Sequence, residues 1–235
     1  MSCLRMAVLG LLVASAAAQE AAPAAQVARA ETLLRAHGKR SLAIKVLVAD
    51  YVQRRTTKLL AEPLVSKGEF LFVREPAVVM FRATEPRLSV VRLSARLYEV
   101  YRPTKKQLER FHLEGPELAQ GLFAAVGGDA ERLLRDFVIT ACRDLAATAE
   151  VGERVVVQMA PRQADVRARL SELSITLHAK DGALAAVAYR DQAGDLIEIE
   201  LLRLRLDPTD APSATLEVPK DTVVVEHASA PTKSK

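Results

Sequence analysis

The chain has 235 residues, 50% of them apolar, with 33 basic and 29 acidic side chains and a formal net charge of +4. That is ample for one domain with a sizeable core, and a charge so close to balance argues against a nucleic-acid partner. Aromatics are 4% and Trp is absent, which leaves no aromatic-plus-arginine platform for stacking bases.

The chain opens like a secretory signal over residues 1–18: Arg5 gives the positive start, Met6 to Val13 the short apolar core, and Ala16-Ala17-Ala18 the cleavage pattern. The apolar run is too short for a membrane span, and no later stretch reaches about 18 uninterrupted apolar residues. The mature protein is therefore expected to be exported and soluble. Loss of the signal removes Cys3 and leaves Cys142 alone, so the fold must hold by packing, with Cys142 as a small buried residue. It also removes Arg5, leaving 32 basic against 29 acidic residues, a balance of +3.

Residues 19–25 read as an Ala/Pro linker. Gln26 to Ala36 follow as an amphipathic helix with Val27, Ala30, Leu33 and Leu34 on one side, closed by Gly38 near its end. Ser41 to Lys58 carry a strand pattern, broken at Glu62-Pro63. Val65 to Arg74, Ala77 to Thr84, Leu88 to Ser94 and Leu97 to Arg102 follow, separated by Glu75-Pro76, Glu85-Pro86 and Ala95-Arg96. Short strands broken at regular intervals by Pro indicate an antiparallel meander rather than α/β alternation.

The middle then turns helical. Glu117 to Val126 place Leu118, Leu122 and Val126 at helical spacing beside Phe123, and Ala130 to Phe137 repeat the pattern with Leu133 and Leu134 after Gly127-Gly128. This two-helix insertion is the natural cover for an apolar sheet face. Strand character returns in Phe137 to Leu145 and Arg154 to Met159. Leu170 to Leu206 then read as three strands joined by turns at Lys180-Asp181-Gly182 and Asp191-Gln192-Ala193-Gly194. In the last of these the apolar parity flips between Leu201 and Leu202, as a β-bulge in a strongly curved sheet would cause. Thr222 to Glu226 offer a final short strand, and residues 228–235 a disordered tail. Residues 26–227 thus form one mainly β domain with helices, built on a curved antiparallel sheet.

The ordered series of motifs resembles the LolA-like family of bacterial periplasmic lipoprotein carriers. The matching residues are Ala49-Asp50-Tyr51-Val52-Gln53-Arg54, Gly68 to Pro76, Phe81 before Glu85-Pro86, and Leu97 to Pro103 followed by Gln107. Further on they are Met159-Ala160-Pro161-Arg162, the two turns above, and Val218-Pro219-Lys220-Asp221-Thr222-Val223. The resemblance implies an incomplete, half-open β-barrel whose concave face holds acyl chains beneath a helical lid, with no cofactor and no chemistry. It also implies lipidated proteins or lipids as cargo, an inner-membrane lipoprotein-releasing transporter and an outer-membrane acceptor as partners, and a monomer. In the family a basic residue directly before the first of these prolines helps latch the lid. Here Glu75 holds that place and Arg74 lies one earlier, an offset that in a strand exchanges faces, so the latch does not carry over directly.

Candidate lining residues are Phe70, Phe72, Met80, Phe81, Val91, Tyr98 and Tyr101, and candidate lid residues Leu118, Leu122, Phe123, Leu133 and Leu134. Each taken singly is equally at home in an ordinary core. Ala77 to Phe81 are apolar on both faces, which calls for helices on one and a fillable cavity on the other. Enzymatic readings lack residues: His37, His112, His178 and His227 are scattered without zinc-ligand spacing, and neither H-E-x-x-H nor G-x-S-x-G occurs. Two basic clusters, Arg54, Arg55 and Lys58, then Lys105, Lys106 and Arg110, suit solvated strand ends or docking to acidic surfaces or anionic headgroups. The competing expectation is a lipid-sensing or protein-interaction module of an envelope-stress pathway.

Overall fold

The computed structural model describes residues 22–113, 117–147 and 152–227; the signal and tail expected from sequence lie outside them. A helix α1 (Ala24–Ser41) leads into strands β1 (Val46–Thr56), β2 (Leu64–Val73), β3 (Val78–Glu85), β4 (Ser89–Ser94) and β5 (Leu97–Arg102). A 3-10 turn, Pro103–Lys105, reverses the chain into β6 (Gln107–His112). Helices α2 (Glu117–Gly127) and α3 (Ala130–Asp136) precede β7 (Phe137–Leu145) and β8 (Arg154–Pro161). A single helical turn α4 (Ala164–Arg167), strands β9 (Leu170–His178), β10 (Leu184–Asp191), β11 (Leu196–Leu206) and a last strand β12 (Val223–His227) complete the chain.

All twelve strands lie in one unclosed sheet of order β12-β6-β5-β4-β3-β2-β1-β11-β10-β9-β8-β7. It is not purely antiparallel as the sequence suggests, because β12 runs parallel to β6. The segment after β11 must therefore cross the outer face of β1 to β6 before it can pair. Asp207 starts the crossing by accepting from the backbone N–H groups of Lys45 and Val46. Arg82 and Arg92 then hold it by donating to the carbonyls of Ser213 and Ala214. Beneath it, Val48, Leu71 and Met80 form a second buried cluster with Ala211 and Ala214. The strand that is apolar on both faces is thus covered outside by this strap, and not by a cavity.

Curvature has a visible source in β11. Asp50 pairs with Leu202 and Val48 with Arg205, so Arg203 and Leu204 together face Ala49, with Arg203 at φ 50°. This is the bulge anticipated from the apolar parity, one residue further along. It returns Leu204 to the concave face, where it packs against the main core.

α1 runs past Gly38 to Ser41, beyond its expected end. Gly38 is needed for contact rather than termination: a Cβ there would lie 2.5 Å from the Gly128 carbonyl oxygen. Gly128, at φ 73°, turns the chain between α2 and α3, and Asp129 caps α3 by accepting from the Arg132 N–H.

Candidate functional site

The main core fills the concave face of the sheet, yet its two halves differ. Over β8 to β11, the inward side chains of Val155, Val157, Met159, Leu173, Ile175, Leu177, Val187, Ile197, Ile199 and Leu201 are all buried. α1 and α3 pack on β7 and on one another, and α2 reaches β10. Alternating apolar residues meeting a helical layer leave no gap here.

The half formed by β3, β4 and β5 is less complete. Register places Phe81, Val91 and Val100 in one row of the concave face and Val79, Leu93 and Tyr98 in the next. Val79 is buried, but Phe81, Val91, Leu93, Tyr98 and Val100 all keep accessible surface. Five strands, β4, β3, β2, β1 and β11, separate β5 from β10 in the sheet. Tyr189, on β10, lies on the same concave face, half-buried and packed against the main core. Tyr98 and Tyr189 are both only partly covered, so the concave face stays open to solvent at these residues as a shallow recess. Burial pushes the phenols of Tyr189 and Tyr51 up to about 12, so both stay neutral. The ring of Tyr51 meets that of Phe81 edge-on at 5.2 Å, and Phe81 that of Phe70 at 5.1 Å. Ion pairs Arg55–Asp195 at 2.7 Å and Arg102–Glu109 at 2.5 Å lie at the neighbouring strand ends.

Over the opposite end of the concavity the helices are tied to the sheet. Arg74 donates through Nε to the Ile44 carbonyl at 2.8 Å, and through Nη2 to those of Ser41 at 2.7 Å and Gly127 at 3.1 Å. One guanidinium therefore holds the C-terminal ends of α1 and α2, where the helix dipoles favour a cation. Arg74 lies in the turn beyond β2, where strand alternation no longer sets side-chain direction, so the latch forms despite the one-residue offset. His37, 2% exposed, adds a second tie: its Nε2 lies 3.0 Å from the Ala125 carbonyl oxygen and its Nδ1 3.3 Å from the Ser41 hydroxyl.

The residues proposed from sequence divide clearly. Phe70, Phe72, Phe81, Val91 and Tyr98 share the concave face, with Phe70 and Phe72 buried beneath it. Met80 and Tyr101 point to the outer face, Met80 into the strap cluster and Tyr101 in the row of Val90, so neither lines the recess. In the lid, Leu133 is buried, and Leu122, Phe123 and Leu134 are half-buried against the core; the side chain of Leu118 lies outside the described residues. Sequence reasoning missed Tyr189, which looked like one more alternating strand position, and His37, which lay just beyond the expected end of its helix.

Of the two basic clusters, Arg54 pairs with Glu200, Arg55 with Asp195, Lys106 with Asp221, and Arg110 with Glu99 and Glu226. Glu99, buried on the outer face, also accepts from Arg92 at 2.7 Å. These charges serve the sheet and the strap. Lys58 and Lys105 have no carboxylate partner among the described residues.

Two further hollows lie away from the recess. One of about 200 Å³ sits between α2, α3 and α4, lined by Gly121, Leu133, Phe137 and Val166 but also by Arg132, Arg135 and Asp136. It is below the roughly 300–1,000 Å³ of usual ligand pockets. The other, about 590 Å³, is an open groove among Glu153, His178, Lys180 and Asp181. No helix among the described residues is long and apolar enough to cross a membrane.

No family model matches the sequence, and no curated protein matches it. Solved structures are similar in chain path. One is an uncharacterised conserved protein from Thermus thermophilus, at 12% identity and TM-score 0.48, covering 85% of this chain and 99% of that one. Another is a LolA superfamily protein from Nitrosomonas europaea, at 15% identity and TM-score 0.38, covering 78% and 94%. A third is the Pseudomonas aeruginosa MucA/MucB complex, at 13% identity and TM-score 0.42, covering 78% of this chain and 59% of that one. The function proposed below takes nothing from these likenesses.

Proposed function

We propose that this protein is a periplasmic carrier that shelters acyl chains, of lipidated proteins or of another lipid, and moves them between the inner and outer membranes. The observation that supports this most is the half-covered apolar row of Phe81, Val91, Leu93, Tyr98 and Val100 on the concave face, beside helices held to the sheet by polar ties. Each buried methylene contributes about 0.8 kcal/mol, so even part of one tail gains appreciably on this strip. The helix-covered half is filled by its own side chains, so a longer tail enters only as α2 and α3 move, and the ties of Arg74 and His37 set the cost of that movement. Contacts of this kind are weak and undirected, which suits a carrier that must also release. It performs no covalent chemistry and uses no cofactor or metal. Its partners are an inner-membrane transporter that supplies cargo and an outer-membrane acceptor that removes it.

Titration with a soluble, environment-sensitive fatty-acid probe tests this, together with native mass spectrometry of the purified protein. Saturable uptake that Val91→Asp abolishes is expected, with lipid or lipoprotein co-purifying. A lipid-free protein that takes up no probe sinks the carrier reading. The filled half of the concave face favours one rival, an interaction module of an envelope-stress pathway, and that rival predicts capture of a membrane-anchored regulator with no lipid bound.

A further inference from the structure

Several adjacent connections carry large apolar side chains into solvent at the same end of the sheet. Register places them together: Arg55 pairs with Leu64 across the β1–β2 connection, Ala83 with Ser89 across β3–β4, and Arg102 with Gln107 across β5–β6. At that end Leu59 is 90% exposed, Leu60 47%, Leu64 54% and Leu88 53%. Val223, which opens β12 by donating to the Lys106 carbonyl, is 62% exposed beside them. One exposed leucine needs no explanation, but several on neighbouring tips do. Lys58, Arg87 and Lys105 stand among them, exposed and without a carboxylate partner among the described residues.

We propose that this end is a membrane-docking surface, which seats Leu59, Leu60, Leu64 and Leu88 at the headgroup–acyl boundary of an anionic bilayer while Lys58, Arg87 and Lys105 meet lipid phosphates. The leucines protrude from hairpin tips and do not line a groove, so they fit a soft surface that closes around them. Cations interleaved with apolar tips complement anionic headgroups lying over hydrocarbon. The surface is also continuous with the half-covered face: Arg102 ends β5, the strand of Tyr98 and Val100, and Arg55 stands one residue from the end of β1 at this same edge. A docked molecule turns the recess toward the bilayer. This goes beyond the carrier reading and stands if that reading fails.

Co-sedimentation of the exported protein with vesicles of phosphatidylcholine, alone or mixed with phosphatidylglycerol, tests the proposal. Binding to the mixed vesicles is expected to be at least about tenfold tighter and to weaken as salt rises. The double substitution Leu59→Ser/Leu60→Ser is expected to weaken it a further tenfold or so, and Lys58→Glu/Lys105→Glu to remove the preference for phosphatidylglycerol. Circular dichroism, melting temperature and uptake of the soluble probe in vesicle-free solution stay as in the native protein. Equal affinity for both vesicle types, a Leu59/Leu60 variant that binds as well as native protein, or attachment only to a protein partner overturns the proposal. Vesicle binding with no probe uptake overturns the carrier reading alone.

Discussion

The two halves of the concave face are built from the same kind of strand and finished differently. Over β8 to β11 most inward apolar side chains are fully buried, Tyr189 and Leu204 being half-buried exceptions, whereas over β3 to β5 the equivalent row is mostly half-covered. Period-2 alternation states which residues leave one face of a sheet, and it is silent about what arrives above them. One half therefore carries stability, and the other is where the proposed guest would lie.

Paired truncations break or sharpen this contrast most. Ile175→Ala, in the filled half with no exposed surface, is expected to cost about 2–5 kcal/mol. Val91→Ala, on the half-covered row, is expected to cost about 1 kcal/mol or less while weakening binding of the fatty-acid probe. Denaturant midpoints and probe titrations of both variants read the two effects. If Val91→Ala proves as destabilising as Ile175→Ala and leaves probe affinity unchanged, the strip is ordinary core.

The next largest effect concerns the tie between the halves. Arg74→Leu leaves the carbonyls of Ile44, Ser41 and Gly127 without their charged donor, an expected loss of about 2–3 kcal/mol. Stopped-flow mixing with the probe is expected to show faster uptake, because the same ties restrain α2. Arg74→Lys restores only part of the restraint, since an ammonium cannot reproduce the fork that spans three carbonyls. Uptake at the native rate in Arg74→Leu would mean that the lid does not gate the recess.

Much of the fold was legible because its strands obey simple alternation. Leu97–Arg102, Phe137–Leu145 and Leu196–Leu206 have the bounds that apolar patterning implies, and the parity flip in the last of them announced the bulge. β6 was not legible, because Leu108 and Phe111 point to opposite faces and its other positions are held by the pairs Arg102–Glu109 and Arg110–Glu99, and not by burial. The parallel docking of β12 and the strap before it depend on contacts across more than a hundred residues, such as Arg92 with Ala214. That is why Met80 and Tyr101 were assigned to the wrong face: each is a large, mostly apolar strand residue, and the strap that buries Met80 on the outside is not announced by its own strand. The latch was not legible for a different reason: strand alternation stops at Val73, so it does not say where the Arg74 side chain points.

The smallest effect expected is a pH dependence from His37. Burial, first, and Arg40 nearby hold its pKa below the ordinary value, against the raising effect of its backbone hydrogen bonds at Ala125 and Gly182. The folded chain keeps the ring neutral, while the unfolded chain takes up a proton near about 6.5. Below that pH the unfolded state binds more protons, so this contribution to stability is present above the unfolded pKa and is lost as pH falls through it toward the folded value, by at most about 1.4 kcal/mol per pH unit. Because the ring joins α1 to α2, the lid loosens in the same window, and probe uptake is expected to quicken as stability falls. His37→Gln keeps a donor for the Ala125 carbonyl and removes the titration, so its unfolding free energy is expected to be flatter between about pH 5 and 7. An equally steep profile in the variant would assign the dependence to other groups and leave the lid insensitive to mild acid.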